Sequence, residues 1–155
     1  MASYVFGIDV GGTTVKMGLF QNDGTVVDKW EIPTRTENGG EKVLPDIADA
    51  ILGKMAEKDI DRKDVAGVGV GVPGPVDGQG IVHRAVNLGW GVFNMEETLS
   101  GLLDGMVVKG GNDANVAALG EMWKGGGQGY SNLVAVTLGT GVGGGIIIDG
   151  KILTG

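Results

Sequence analysis

Two apolar segments joined by a glycine- and threonine-rich turn form the stretch YVFGIDVGGTTVKMGLF, which runs from Tyr4 to Phe20. The pattern predicts two antiparallel strands, at about Tyr4–Val10 and Val15–Gln21, because glycine is the default residue of tight hairpin turns. Such a turn presents backbone N–H groups and threonine hydroxyls at one point, and a concavity of this kind binds phosphate oxygens. Taken alone, the turn is explained as well by an ordinary hairpin.

A second stretch repeats the pattern near the other end of the chain. It reads LVAVTLGTGVGGGIII and spans Leu133 to Ile148. Aligning Gly11 with Gly139 places Gly12 against Thr140 and Thr13 against Gly141. Two hairpins with threonine at the tip favour a clamp around a nucleotide over two unrelated turns.

Other phosphate-binding motifs are excluded by the sequence. It contains no Gly-x-x-x-x-Gly-Lys-Ser/Thr motif, so a P-loop is absent. Two Gly-x-Gly-x-x-Gly matches occur, beginning at Gly69 and Gly139, but that fingerprint must open a helix after a strand. Gly74 ends the first match between two prolines, and Gly144 ends the second just before three isoleucines, which disfavours a dinucleotide fold.

Asp113 is the candidate catalytic residue. It follows Gly110-Gly111-Asn112, where a strand predicted at Met106–Val108 gives way to a helix predicted from Asn115 to Trp123. A carboxylate there faces the positive end of the helix dipole and could accept a proton from a substrate hydroxyl. The local pattern by itself favours a simple helix N-cap, and the two hairpins reverse that preference.

Apolar periodicity predicts the remaining elements. A stripe of Val43, Ile47, Ile51 and Met55 indicates a helix in the segment that opens with Asn38-Gly39-Gly40. Alternating valines and small residues predict a buried parallel strand at Val65–Val72. The other expected elements are a strand at Val26–Ile32, a short strand at Ile81-Val82 and a short helix at Met95–Leu103.

Composition limits the classes of function. The chain has 155 residues and a net charge of −7, which argues against a nucleic-acid or anionic-membrane surface. The absence of cysteine excludes disulfides and thiolate metal sites in these residues. No apolar run is long enough to span a bilayer, and no signal peptide precedes the first strand, so a cytoplasmic location is expected.

Five motifs, in their order along the chain, resemble those of the ROK family of sugar kinases. They are Gly7–Thr13, Gly71–Asp77, Asn87–Trp90, Asn112–Asn115 and Leu138–Gly145. The resemblance covers nearly the whole chain. It implies the actin-like ATPase fold, also called hexokinase-type or ribonuclease H-like, in which two α/β lobes flank a cleft. The repeated hairpin agrees with a fold in which each of the two lobes is built on a related sheet.

The resemblance also implies ATP-dependent phosphorylation of glucose at its 6-hydroxyl, a step of glycolysis. Asp113 then corresponds to the base, and Gly74, Asn87 and Asn112 bind the sugar together with it. Asp9 corresponds to the carboxylate that holds Mg²⁺ through water. The phosphate loops correspond to Gly11, Gly12, Thr13 and Thr14 in the first hairpin, and to Thr140 and Gly141 in the second.

The sequence departs from the family pattern after the last of these motifs. Members of the family continue with an Ala-Gly-Glu-x-Gly-His segment and a cysteine-rich zinc site, and neither occurs in these residues. The chain is therefore interpreted as a first lobe (residues 1–124) plus the opening hairpin of a second (residues 125–155). Alone it is expected to be weakly active or inactive. The uncovered apolar hairpin is expected to bring two chains together as a dimer or a swapped assembly.

Several alternatives remain open on sequence. The substrate could be another hexose such as fructose, allose or N-acetylmannosamine. A related sugar-binding repressor is disfavoured because no helix-turn-helix precedes the first strand. An actin-like filament protein or a chaperone-type ATPase would share the phosphate hairpins but would have no need for Asn87 or for the Asn112-Asp113 pair.

Overall fold

The computed structural model describes residues 2–139 and 141–154. Ten strands and four α-helices lie within those ranges. The strands are β1 Tyr4–Val10, β2 Thr14–Gln21, β3 Val26–Pro33, β4 Val65–Val72, β5 Ile81–Val82, β6 Phe93–Asn94, β7 Val108–Asn112, β8 Leu133–Leu138, β9 Val142–Ile148 and β10 Lys151–Ile152. The helices are α1 Glu37–Gly40, α2 Val43–Lys58, α3 Met95–Leu102 and α4 Asp113–Lys124.

A five-stranded sheet in the order β3-β2-β1-β4-β7 forms the larger unit. β1, β2 and β3 are antiparallel neighbours, whereas β4 runs parallel to β1 on one side and to β7 on the other. The three opening strands and the buried parallel strand at Val65–Val72 are therefore confirmed. The carboxyl ends of the parallel strands β1, β4 and β7 meet at one edge, where α/β proteins place ligand groups.

The hydrophobic core lies on one face of this sheet. Alternate residues of the central strands, including Phe6, Ile8 and Val70, are buried there. They share one cluster with the predicted stripe of α2, and with Met95 and Leu99 of α3. The predicted apolar stripe of α2 is thus confirmed. Each apolar side chain removed from water contributes about 1.5–3 kcal/mol to the stability of the fold.

A smaller sheet in the order β10-β9-β8 follows α4. β8 and β9 form the predicted second hairpin, and the strand order repeats that of β3-β2-β1. The two hairpins close differently: Val10 pairs with Val15 in the first, whereas Leu138 pairs with Val142 in the second. The repeat thus holds for the strands, but the two connections differ by one residue.

Three predicted boundaries were wrong. The strand expected at Met106–Val108 is displaced to β7, because the backbone from Val108 to Asn112 finds its partners along β4, from Val68 to Val72. The following helix begins at Asp113, two residues earlier than predicted. Inside the four-residue α1, Asn38 and Gly39 have positive, non-helical φ values of 52° and 73°, so this element does not continue into the long helix, which begins at Val43.

Candidate phosphoryl-transfer site

The first predicted phosphate loop is a turn that hydrogen bonds hold in place, and two of its backbone N–H groups remain free in the described part of the chain. The Gly11 N–H donates to the Thr14 carbonyl (3.0 Å), while the Thr34 N–H donates to the Thr13 carbonyl (2.9 Å). The Thr34 hydroxyl also donates to the Gly11 carbonyl (2.7 Å). Gly12 and Thr13 are exposed, and within the described residues their N–H groups make no hydrogen bond. The turn is therefore held rigid while two amide donors remain available to an anion.

Gly11 is required by this geometry. A Cβ atom at position 11 would lie 2.7 Å from the carbonyl oxygen of Thr14, which is closer than real Cβ contacts allow. The neighbouring Gly12 faces Asn87, whose Cβ and carbonyl oxygen lie 3.4 and 3.6 Å from the corresponding Cβ position. The loop containing Asn87, predicted as a sugar contact, therefore packs directly against the phosphate turn.

Asn112 organises the start of α4. It is the N-cap: its Oδ1 accepts hydrogen bonds from the N–H groups of Ala114 (3.1 Å) and Asn115 (3.4 Å). Its Nδ2 donates to the carbonyl of Gly74 at 3.2 Å, which ties the helix to the turn after β4. The alternative that Asp113 is the N-cap is therefore wrong. One Nδ2 hydrogen of Asn112 is still available for a ligand.

Asp113 is the first residue of α4 and is exposed. Its Oδ1 accepts the N–H of Ala114 at 2.8 Å, and Oδ2 makes no hydrogen bond within residues 2–139 and 141–154. The N-terminus of a helix carries partial positive charge, so this position suits a side chain that interacts with polar or charged ligand groups. A Cβ atom at Gly71 would lie 3.5 Å from the Asp113 Cα, so the first residue of the helix lies in contact range of β4.

Asp9, near the carboxyl end of β1, is close enough to Asp113 for their charges to interact. Burial raises the pKa of the Asp9 carboxyl, the negative charge of Asp113 raises this pKa further, and Lys16 opposes both effects. In register, Asp9 pairs with Lys16 on β2 and with Gly71 on β4. Two carboxylates held close together favour binding of a cation.

The residues present fit a Mg²⁺ ion held mostly by other ligands. Among the described residues there is no group of three or more carboxylate or histidine side chains able to enclose a metal. Mg²⁺ usually retains several waters and binds through one or two carboxylates together with substrate phosphates. Asp9, with its raised pKa and its carboxylate neighbour, suits that role.

A cleft of about 750 Å³ meets these residues at one end only. Asp9, Lys16, Gly111 and Asn112 line that end, and Asn115 of α4 also contributes. The cleft then follows the glycine-rich outer face of the sheet, past Gly7 and Gly69, and most of its lining is apolar. Gly74, Asn87 and Asp113 lie outside its lining, so the cleft as a whole does not mark the predicted sugar site.

The second predicted phosphate loop directly precedes β9. A Cβ atom at Gly143 would be 3.1 Å from the Ala114 Cβ, so β9 passes close to the first turn of α4. Gly141 is exposed, and its carbonyl accepts the N–H of Gly139 at 2.9 Å. Thr140 lies outside the described residues.

His83, the only histidine of the sequence, has a structural contact. Its Nε2 lies 2.9 Å from Oδ2 of Asp77, and it is 56% exposed. The hydrogen bond from His83 lowers the pKa of the Asp77 carboxyl, as do the N–H groups of Gln79 and Ile81. These bonds stabilise the turn that follows Gly74.

Sequence reasoning missed Lys16 and Asn115 as cleft residues. A signal for Lys16 was present, because the closing of the first hairpin sets it directly across from Asp9. Asn115 gave no such signal, since its exposure to the cleft depends on how α4 packs against the sheets.

Among the described residues, no helix is long and apolar enough to cross a membrane.

Comparisons with known proteins identify the family of this chain. The family model described as "ROK family" matches residues 5–155. A glucokinase of Halalkalibacterium halodurans is 46% identical over 150 residues, which cover 96% of this chain and 45% of that protein. An N-acetyl-D-glucosamine kinase of Citrobacter koseri is 38% identical over 97% of this chain and 48% of that protein.

A solved structure shares the fold. The ROK family glucokinase from Streptomyces griseus, in complex with glucose and AMPPNP, superimposes with a TM-score of 0.80 at 34% identity, over 98% of this chain and 46% of that one. The chain thus spans about half the length of the relatives it matches. The braced turn, the capped helix and the matched family model together place this chain in the ROK family, with the actin-like fold of its sugar kinases.

Proposed function

We propose that this chain provides the sugar- and phosphate-binding residues of an ATP-dependent hexose kinase that phosphorylates glucose at its 6-hydroxyl. The observation that carries the proposal is the position of Asp113: an exposed carboxylate at the first residue of α4, close to Asp9 and next to the N-cap residue Asn112. Phosphoryl transfer needs mainly positioning and charge neutralisation, together with one group that orients the nucleophile.

In this mechanism Asp113 Oδ2 accepts the proton of the sugar 6-hydroxyl, while its Oδ1 stays on the Ala114 N–H, which fixes the carboxylate plane. Asn87, Asn112 and Gly74 orient the sugar, supported by the hydrogen bond from Asn112 to Gly74. The free N–H groups of Gly12 and Thr13 donate hydrogen bonds to phosphate oxygens.

Asp9 would hold Mg²⁺, and Thr140 and Gly141 would complete the phosphate contacts from the second hairpin. A Mg²⁺ ion held there would supply positive charge to offset the negative charge of the phosphates. The division into a first lobe at residues 1–124 and the start of a second at 125–155 belongs to the same proposal. So does weak or absent activity of the isolated 155-residue chain.

Glucose is favoured because the relative with 46% identity is a glucokinase, whereas the N-acetyl-D-glucosamine kinase is 38% identical. The second candidate is therefore a kinase of that amino sugar or of another hexose. Comparing kcat/KM for glucose, N-acetyl-D-glucosamine, fructose and N-acetylmannosamine would decide between them. A higher value for any sugar other than glucose would reassign the substrate.

The test of the proposed base is Asp113→Asn in the complete polypeptide translated from the gene that encodes this chain. The amide keeps an oxygen to accept the Ala114 N–H but cannot accept a proton, so kcat should fall about 10²–10⁴-fold. ATP affinity should remain within about twofold, since the proposed phosphate contacts are untouched. Steady-state kinetics and ATP titration measure both quantities.

Asp61→Asn is the matched control, because Asp61 is an exposed carboxylate whose neighbour is Lys63, outside the site. Its kcat should equal that of the unmodified protein. Unchanged sugar phosphorylation in Asp113→Asn would rule out the assignment of Asp113 as the base.

A further inference from the structure

Thr34 holds the turn between β1 and β2 from the end of the neighbouring strand. It directly follows Pro33, the last residue of β3, and is partly buried. Its Oγ1 donates to the Gly11 carbonyl at 2.7 Å, and its N–H donates to the Thr13 carbonyl at 2.9 Å. One residue thus restrains two carbonyl groups of the turn, one through its side chain and one through its backbone.

The bond to Gly11 sets the direction of a free donor. The Gly11 carbonyl and the Gly12 N–H belong to one planar trans peptide, in which the two groups point in opposite directions. The Gly12 N–H makes no hydrogen bond in the described part of the chain. Because the Thr34 hydroxyl holds the carbonyl on one side, it directs the Gly12 N–H to the other side, where a ligand can accept it.

The peptide between Gly11 and Gly12 needs such a restraint. It joins two glycines, which have more backbone conformations open to them than other residues, so the peptide can reorient easily. The bond from the Gly11 N–H to the Thr14 carbonyl restrains the peptide before Gly11. The Thr34 hydroxyl acts on the peptide after Gly11, which carries the free donor.

The segment that carries Thr34 is anchored to α2. The next residue, Arg35, donates from Nε and from a terminal guanidinium nitrogen to the two carboxylate oxygens of Asp46, at 2.7 and 2.5 Å. Asp46 lies in the first turn of α2, whose apolar stripe belongs to the core. A bidentate contact fixes orientation as well as distance. The Thr34 hydroxyl is therefore presented to the turn from a segment with a fixed position.

We propose that Thr34 is a positioning residue of the phosphate site, whose hydroxyl orients the Gly11–Gly12 peptide so that the Gly12 N–H donates to phosphate oxygens of the nucleotide. This inference rests on the proposed kinase function and adds a residue that does not itself touch the ligand. Donors that already point at an anion bind it better, because none has to be turned and ordered during binding. Loss of the hydroxyl should thus weaken binding of the phosphates and spare the rest of the nucleotide.

The test compares ATP with adenosine, using the complete polypeptide translated from the gene that encodes this chain. Thr34→Val removes the hydroxyl but keeps the branched shape and the backbone N–H. ATP should bind roughly threefold to twentyfold more weakly to this variant, the size expected from one lost hydrogen bond. Adenosine has no phosphate, so its dissociation constant should stay within about twofold. Calorimetry measures ATP binding, and competition measures adenosine binding.

Two further variants separate positioning from stability. Thr34→Ser keeps the hydroxyl and should bind ATP within about twofold of the unmodified protein. Thr98→Val is the matched control, because the Thr98 Oγ1 donates to the Asn94 carbonyl at 2.7 Å in α3, outside the proposed site. It loses the same kind of hydrogen bond, yet its ATP affinity should be unchanged.

Unchanged ATP affinity in Thr34→Val, while the unmodified protein binds ATP, would overturn the inference and leave the kinase proposal standing. So would a Thr34→Ser variant that binds ATP as weakly as Thr34→Val. An equal loss for ATP and adenosine, or failure of Thr34→Val to fold when Thr98→Val folds, would assign the hydroxyl to stability alone. Absence of ATP binding by the unmodified protein would remove the proposed function as well.

Discussion

At the scale of the residue, the carboxyl groups of Asp77 and Asp9 have pKa shifts in opposite directions. Asp77 accepts hydrogen bonds from His83 and from two backbone N–H groups, and these lower its pKa. For Asp9, partial desolvation of the carboxyl group by its surroundings and the nearby charge of Asp113 both raise the pKa. The first arrangement stabilises the fold, whereas the second destabilises it at neutral pH, as is common at functional sites.

Asp9→Asn should therefore raise the melting temperature of the ligand-free protein at pH 7. The pKa of Asp9 is higher in the folded state than the ordinary value of 3.8, so its ionised form destabilises the fold at neutral pH. That cost is relieved as the pH falls from the raised folded pKa towards 3.8. Thermal unfolding across this pH range would show a gain in stability that the variant lacks.

Asp77→Asn is the control of opposite sign. Because the pKa of Asp77 is lowered, its contribution is present above pH 3.8 and is lost as the pH falls through the lower folded value. The variant should melt at a lower temperature at pH 7. A lower melting temperature for Asp9→Asn would contradict the interpretation of Asp9 as a strained ligand carboxylate.

At the scale of the element, α4 links the two sheets and carries the proposed base. Its amino end is placed by the Asn112 cap, whose side chain also donates to the Gly74 carbonyl. Its other side faces β9, where a Cβ atom at Gly145 would lie 2.6 Å from the Ala118 Cβ and 2.8 Å from the Ala114 carbonyl oxygen. Glycine at position 145 thus permits helix and strand to pack without space for a side chain.

Gly145→Val should destabilise the protein by about 1–3 kcal/mol, because the added side chain would force β9 away from α4. Urea unfolding at equilibrium measures the change. Gly144→Val is the matched control: its Cβ would meet only the Ala135 carbonyl oxygen, at 3.7 Å, so its unfolding free energy should change by less than about 1 kcal/mol. Equal effects of the two substitutions would disprove the packing argument.

At the scale of the whole molecule, the small sheet leaves one face exposed. Leu138 and Val142 are 80% and 78% exposed, and Val134, Val136, Ile146 and Ile148 share this apolar face. The outer edge of β8 pairs with no other strand in the described part of the chain. Exposed apolar faces and free strand edges are typical of association surfaces.

We therefore expect the 155-residue chain to form a dimer with a second copy through this face. Val136→Lys should raise the dimer dissociation constant about tenfold or more, since a charge would be buried in the contact. Val92→Lys, at a valine that is 70% exposed in a separate loop, should leave the constant unchanged. Sedimentation velocity over a range of concentrations measures both, and a concentration-independent monomer would count against the expectation.

Local patterns were sufficient for much of the fold. Both hairpins, the α2 stripe and the buried strand at Val65–Val72 were predicted because alternation and helical periodicity depend on neighbours in sequence. The resemblance to the ROK family rested on the same short motifs, and the family match confirms it. Most of the proposed site residues were found in this way, although their roles remain predictions.

Tertiary structure decided the features that depend on distant partners. The position of β7 follows from its hydrogen bonds to β4, about 40 residues earlier, which local propensity cannot foresee. The same pairing starts α4 at Asp113 and makes Asn112 its cap. The sequence alone thus determined the elements, the family and the candidate residues. Only the folded sheet brought Asp9, Lys16 and Asp113 together, because register across strands is set by pairing between segments far apart in the chain.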